Sequence, residues 1–386
     1  MSAQLLEVLF NHDPIDKRGS ALNLRTNAST PLALPEWEGG VGRPAAYATR
    51  SIVPSMLAVG ARIRWTGPPR ASLEVRAISA PVASDPRPPL VGELVARTVP
   101  LGAGGVSDRV LFVVRGGWIA SAPVGTYRIA WRWQARSRPT DSWADFALTE
   151  HVVFATLLAP GAPWTEAPFL DANLALPWSD ALQIVCAWAA GANSAGEAAS
   201  LITTRLFSLG PELFEYGCPV FGREMYTNSV LSLFDCSAFI ERVNGGEGNG
   251  RFVNCTDCAC IISTLANILG ARLWQSRMGV YVPAFMTRDI KTIGSSRWSS
   301  PCALGLGFMF HEVAWGGNAT EFDAVYDGSL LVNANLNPSG FILPLLPAGL
   351  GFGPAFGGQY RSMLAQQQDQ FTCRPATEER RCRALM

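Results

Sequence analysis

The pattern of apolar side chains changes at one point in this chain, and that change constrains the fold. Up to about residue 158, segments 61–65, 72–76 and 127–133 alternate apolar with polar or small residues, and segment 146–152 does so less strictly. Turns rich in Gly, Pro and Ser separate these segments, and period-two alternation is typical of strands with one buried face. The pattern predicts an antiparallel β-sandwich over residues 1–160, without a helix of useful length.

The proline-rich segment 159–164 marks the predicted domain boundary, and apolar residues beyond it follow a helical period. Predicted helices cover residues 179–189, 197–206 and 255–269, and predicted strands cover residues 304–310, 324–327 and 330–332. Ser179 is the expected N-cap of the first helix. The fold class is therefore α+β, with a second domain over residues 161–343 and an irregular tail over residues 344–386.

Composition limits the classes of partner. Lys plus Arg and Asp plus Glu number 31 each, so the chain lacks the basic field that nucleic acid or an anionic membrane requires. No stretch reaches the ~18 uninterrupted apolar residues of a membrane span, and the first residues do not form a signal peptide. Nine cysteines, an odd number beginning at Cys186, favour reduced thiols. We expect a cytoplasmic protein, or one exported without a classical signal peptide; the oligomeric state stays open.

The cysteine-rich segment 254–260 follows a glycine-rich loop and opens the third predicted helix. Cys255 lies at the start of this helix, where the positive end of the helix dipole favours a thiolate. A buried structural thiol, the usual state of a free cysteine, is the alternative interpretation. Cys258 lies on the apolar stripe of the helix and is predicted to pack in the core, as is Cys260. We therefore predict Cys255 to be a nucleophile.

A thiol nucleophile needs a base and a group that orients the base. His311 is the only one of three histidines in the predicted second domain, so it is the candidate base. Asp323 and Asp327 follow on the next predicted strand. Because these two acids are four residues apart, a continuous strand would direct both to one face. The residues alone leave the choice between them open.

Zinc binding is the competing hypothesis for the same residues. Cys255, Cys258 and Cys260 could form a four-ligand site with either His311 or Cys302. A second Cys-x-x-Cys pair, which commonly completes such a site, is missing from the sequence. We therefore predict no metal and no cofactor.

The motif Cys255-Thr256-Asp257-Cys258-Ala259, on a helix that Gly270 ends, resembles the nucleophile motif of the transglutaminase-like cysteine enzymes. In that superfamily Cys-x-Asp-x-Ala opens the core helix, and a histidine and then an aspartate lie on adjacent downstream strands. The resemblance covers about residues 178–335. It implies a transglutaminase-like, or papain-like, α+β core with Cys255, His311 and Asp327 as a catalytic triad.

The expected activity is attack of Cys255 on an amide carbonyl of a protein or peptide, with proton transfer by His311. The backbone N–H of Cys255 would bind the oxyanion. The thioester could pass to water, as in a protease or amidase, or to an amine, as in a transglutaminase. Hydrolysis is favoured because transfer to an amine requires a site that excludes water. A third hypothesis is an inert transglutaminase-like scaffold that binds a partner without catalysis.

Overall fold

A computed structural model gives the architecture of the chain. It describes residues 3–10, 21–52, 57–164, 176–218, 223–279, 282–298, 307–332, 357–373 and 375–386. The chain divides into two compact units, Met1–Ala159 and Pro160–Met386. In the described residues, no helix has both the length and the apolar character needed to cross a membrane.

The first unit is built from strands. They are β1 (Ala3–Leu9), β2 (Trp37–Glu38), β3 (Val41–Gly42), β4 (Ala45–Ala48), β5 (Ala58–Trp65), β6 (Ser72–Ala80), β7 (Val91–Pro100), β8 (Val110–Gly117), β9 (Gly125–Arg136) and β10 (Ala144–Thr156). They form one large curled sheet in the order β3-β2-β1-β5-β8-β7-β6-β9-β10-β4. Neighbours are antiparallel except β10 and β4, which are parallel. The four strands predicted in this part of the chain lie within β5, β6, β9 and β10 and are confirmed.

Strand β9 shows why this part of the chain forms a sheet. Its residues Tyr127, Ile129, Trp131 and Trp133 are buried in the core, whereas the arginines that alternate with them are exposed. The buried indoles keep hydrogen-bond partners: Trp131 Nε1 donates to the Gly92 carbonyl oxygen at 3.0 Å. Large aromatic surfaces therefore fill the core without stranding a polar group.

The second unit mixes helices and short strands. The helices are α1 (Ser179–Trp188), α2 (Ala195–Ser208), α3 (Cys236–Val243), α4 (Cys255–Ile268) and α5 (Gly357–Leu364). The strands are β11 (Glu215–Tyr216), β12 (Thr227–Asn228), β13 (Leu233–Phe234), β14 (Phe252–Val253), β15 (Trp274–Met278), β16 (Ile290–Thr292), β17 (His311–Trp315), β18 (Val325–Tyr326), β19 (Leu330–Val332), β20 (Pro375–Arg381) and β21 (Ala384–Leu385). Together the units make an α+β protein.

The three predicted helices are confirmed as α1, α2 and α4, but the predicted cap of α1 is wrong. Ser179 is the first helical residue, and Trp178 occupies the N-cap position. Helix α2 has a side-chain cap, since Ser194 Oγ accepts from the Glu197 N–H at 3.2 Å. Helix α3 was not predicted, because its eight residues are too few for the helical period to stand out.

Helix α4 is the centre of the second unit. All of its residues are buried, and it packs against β17, β15 and α2. The adjacent sheet has the order β18-β17-β15-β20 and is antiparallel throughout. The helix is therefore enclosed on every side, including its polar residues. The predicted end of the helix is also confirmed, because Gly270 follows the C-cap residue Leu269 and has a φ of +92°.

Two predicted segments differ from the structure. Residues 304–306 of the predicted strand 304–310 lie outside the described residues, and Phe308 pairs only with Phe285, so β17 begins at His311. In the tail, residues 344–356 lie outside the described residues, but α5, β20 and β21 are regular. The prediction of irregularity there was wrong because β20 and β21 are specified by pairing with the distant strands β15 and β13.

Candidate functional site

Cys255 is fixed as the first residue of α4 by a capping box. The Asn254 side chain accepts from the Asp257 N–H at 2.9 Å, and the Asp257 carboxylate accepts from the Asn254 N–H at 3.1 Å. Strand β14 leads into this turn and pairs in parallel with β11. The Cys255 side chain is only 6% exposed.

The aspartate of the motif has a structural position. Asp257 also accepts hydrogen bonds from the N–H groups of Met225 and Tyr226, at 3.1 and 3.0 Å, and from Thr227 Oγ1 at 2.8 Å. Burial raises the pKa of Asp257 to about 6, and these donors limit the rise. The carboxylate therefore ties the start of α4 to the segment that enters β12.

His311 and Asp327 lie on neighbouring antiparallel strands. His311 begins β17, and Asp327 follows β18 directly. His311 Nε2 lies 2.8 Å from Asp327 Oδ2, and both side chains are buried. The other oxygen, Oδ1, accepts from the Ser329 N–H and hydroxyl at 2.8 and 2.7 Å and from the Leu330 N–H at 3.2 Å. The carboxylate therefore holds the imidazole from a fixed position.

The carboxylate of Asp323, the other candidate acid, stabilises a turn. Its carboxylate accepts from the N–H groups of Asn318 and Thr320 at 3.1 and 2.9 Å and from Thr320 Oγ1 at 2.7 Å. Of the two candidate acids, the structure therefore places Asp327 beside His311 and Asp323 in a turn.

The Cys255 thiol and the His311 imidazole lie close enough to interact electrostatically. Nε2 faces Asp327, and the other ring nitrogen, Nδ1, is buried and has no hydrogen-bond partner among the described residues. The three predicted residues are thus brought together in the order thiol, imidazole, carboxylate.

Charge favours a protonated imidazole. Burial by itself lowers the pKa of His311, but the charge of Asp327, its hydrogen bond and the nearby Cys255 outweigh burial and raise that pKa to about 10. Burial by itself raises the pKa of Asp327, but the neighbouring imidazolium brings that pKa below its usual value.

Two tyrosines complete the site, and sequence reasoning missed both. The Tyr360 hydroxyl, on α5, donates to Asp327 Oδ2 and lies 3.1 Å from His311 Nε2, while its ring stacks on the imidazole at 6.2 Å between centroids. Tyr216, on β11, interacts electrostatically with the Cys255 thiol. Neither lies near a motif residue in sequence, so only their tertiary positions reveal them.

The remaining cysteines are separate from this chemistry. Cys258 and Cys260 are buried in α4, and burial raises the pKa of both thiols, so they remain protonated packing residues. Seven described cysteines are not part of a disulfide, but Cys218 is disulfide-bonded, so the expectation of fully reduced thiols is wrong at that position. Cys302 lies outside the described residues. Within the described residues, no group of three or more His, Cys, Asp or Glu side chains could hold a metal ion.

No protein-family model matches the chain, and a search of the curated proteins found no similar sequence. Functional inference therefore depends on the geometry of Cys255, His311 and Asp327 and on the chemistry that such an arrangement can perform.

Proposed function

We propose that this protein is a cysteine-nucleophile enzyme that acts on amide bonds of a protein or peptide. The observation that carries the proposal is the placement of His311 between the Cys255 thiol and the Asp327 carboxylate, with the latter contact at 2.8 Å. The proposal includes a transglutaminase-like, papain-like core in the second unit and a β-sandwich arrangement of the curled sheet in the first. The order of helix α4, strand β17 and strand β18 supports the core assignment.

The thiolate of Cys255 attacks the amide carbonyl carbon and forms a tetrahedral intermediate. The backbone N–H of Cys255 lies in the first turn of α4, where N–H groups lack an acceptor within the helix, and it binds the oxyanion. Protonated His311 donates to the leaving amine as the C–N bond breaks, which leaves a thioester. Neutral His311 then takes a proton from water, and the attacking hydroxide releases a carboxylate and regenerates the thiol.

Acyl transfer to an amine is the second candidate, and burial of the site favours it. Cys255 is 6%, Asp327 2% and His311 0% exposed. A reaction centre that excludes water prolongs the life of a thioester, which allows an amine to attack in place of water. The two activities share every step up to the thioester and differ only in the group that accepts the acyl chain.

Iodoacetamide labelling of the intact protein at pH 6 tests the nucleophile. We expect labelling at Cys255 that is lost in Cys255→Ala and strongly reduced in His311→Ala, with Cys186→Ala as a matched control that labels like wild type. Labelling that appears only above about pH 8.5, the range of an unactivated thiol, would contradict the proposal.

Turnover of amide substrates, measured with and without an added primary amine, separates hydrolysis from transfer. Release of a carboxylate product indicates hydrolysis, and an amine-linked product indicates transfer. Equal activity in wild type and Cys255→Ala across all substrates would support the inert scaffold and overturn both candidates.

A further inference from the structure

A buried ion pair lies directly behind the candidate site. Arg383 Nη1 lies 2.8 Å from Glu312 Oε1 and Nη2 lies 3.3 Å from Oε2, and both side chains are fully buried. Replacing a buried ion pair by apolar side chains is often neutral or stabilising. Stability alone therefore does not explain why these two charges lie in the core.

The pair connects the neighbours of the two reactive residues. Thr256 follows Cys255, and Glu312 follows His311. Thr256 Oγ1 donates to Glu312 Oε2 at 3.2 Å. The Glu312 carboxylate thus joins the first turn of α4 to the first residues of β17, which are the two backbones that set the distance between thiol and imidazole.

Arg383 is itself held in place from several directions. Its Nη1 group lies 3.1 Å from both Gln275 Oε1 and Cys260 Sγ, and Nη2 donates to Ser229 Oγ at 3.0 Å. Gln275 in turn donates to Ser263 Oγ on α4 at 2.8 Å. The guanidinium is therefore a rigid counter-charge for Glu312, supplied by the residue that precedes β21.

We infer that Glu312 and Arg383 are positioning residues of the reaction, which hold Cys255 beside His311 and keep the charge behind them balanced. The inference rests on the proposed function. Loss of Arg383 leaves the Glu312 carboxylate without its main counter-charge and places extra negative charge near the thiolate. Loss of Glu312 leaves the Arg383 guanidinium unbalanced and places extra positive charge there.

Other charged and titratable groups surround the same region and stay unchanged in the test. Around Glu312 these are Arg277 on β15, at 3.5 Å, and Arg381 on β20. The groups that interact with the thiol are His311 on β17, Cys258 on α4, Tyr216 on β11 and Tyr360 on α5. Asp327, after β18, acts on the thiol through His311.

The test is the rate of Cys255 alkylation by iodoacetamide as a function of pH in the full chain. We expect the midpoint to move up by about half a pH unit or more in Arg383→Gln and down by a similar amount in Glu312→Gln. The double variant Glu312→Gln/Arg383→Gln should return close to the wild-type midpoint, as should Arg383→Lys, which keeps the charge. Arg380→Gln, an exposed arginine three residues away, serves as the matched control without a shift.

Equal midpoints in all folded variants would overturn the inference and assign the pair a purely structural role. So would shifts of the same sign in the two single variants. If Arg383→Gln does not fold, as near-ultraviolet circular dichroism would show, Glu312→Gln and the double variant decide the matter. Failure of the proposed function has a different signature, because wild-type labelling would then not depend on His311.

Discussion

His311 is held through one of its two ring nitrogens. Asp327 and Tyr360 both contact Nε2, which fixes the plane of the ring, whereas Nδ1 is buried and has no hydrogen-bond partner among the described residues. Tyr360, whose side chain is buried, lies nearly parallel to the imidazole with 6.2 Å between the ring centroids. Under the proposed function, the base is therefore held in one orientation before a substrate binds.

Asp327→Asn tests the carboxylate at the residue scale. The amide keeps the shape but removes the negative charge that raises the pKa of His311. We expect alkylation of Cys255 at pH 6 to slow by about tenfold or more, since one pKa unit corresponds to a factor of ten. Asp323→Asn, which alters only the turn at residues 318–323, should label at the wild-type rate. Equal rates in both variants would contradict the assignment of Asp327.

The pH dependence of stability gives a second test of His311. Its folded-state pKa, about 10, lies above the unfolded value of 6.5. The pair with Asp327 therefore contributes stability that is fully present below about pH 6.5 and is lost as pH rises through about 10. We expect the difference in free energy of unfolding between wild type and His311→Gln, from urea titrations, to be larger at pH 6 than at pH 9.5.

His151 is the control for this measurement, because its contribution to stability is expected to change with pH in the opposite direction. Burial lowers its pKa to about 3, so its contribution to stability is present above about pH 6.5 and declines as pH falls. The difference between wild type and His151→Gln should therefore shrink on acidification. The same trend for both histidines would contradict the protonated state of His311.

At the scale of elements, the start of α4 decides where the thiol lies. Asn254→Ala removes the side-chain half of the capping box and is expected to lower the free energy of unfolding by ~1 kcal/mol, measured by urea titration. Ser194→Ala at the cap of α2 should cost a similar amount. Only Asn254→Ala should also slow Cys255 alkylation. Equal alkylation in the two variants would show that the cap does not position the thiol.

At the scale of the molecule, the C-terminal segment completes the second unit. Strand β20 extends the sheet of β15 and β17, β21 pairs with β13, and the Met386 carbonyl oxygen accepts from the Ser237 N–H at 3.3 Å on α3. Elements from the middle of the unit, β13, α3 and β15, therefore depend on the last residues of the chain.

Deleting residues 383–386 should loosen the second unit and leave the first unchanged. The deletion removes β21 and the partner of buried Glu312, and a buried charge without its partner is strongly destabilising. We expect amide hydrogen exchange to accelerate in β13, β15 and α4, while β9 and β10 keep wild-type protection. Acceleration spread evenly over β9, β10, β13, β15 and α4 would contradict this prediction.

The sequence by itself determined the local features of this protein. Period-two alternation located the long strands, the helical period located α1, α2 and α4, and Gly270 located the end of α4, because each depends on neighbours within one or two turns. The position of Cys255 at a helix start is local in the same sense. These features need no knowledge of where distant residues lie.

Only the tertiary structure decided the contacts that complete the site. The choice of Asp327 over Asp323 depends on how a turn closes, and Tyr360 and Arg383 reach the site from the far end of the chain. Strand β20 forms by antiparallel pairing with the edge of β15. Such contacts arise from the pairing and burial of residues far apart in sequence, so local secondary-structure propensity does not predict them.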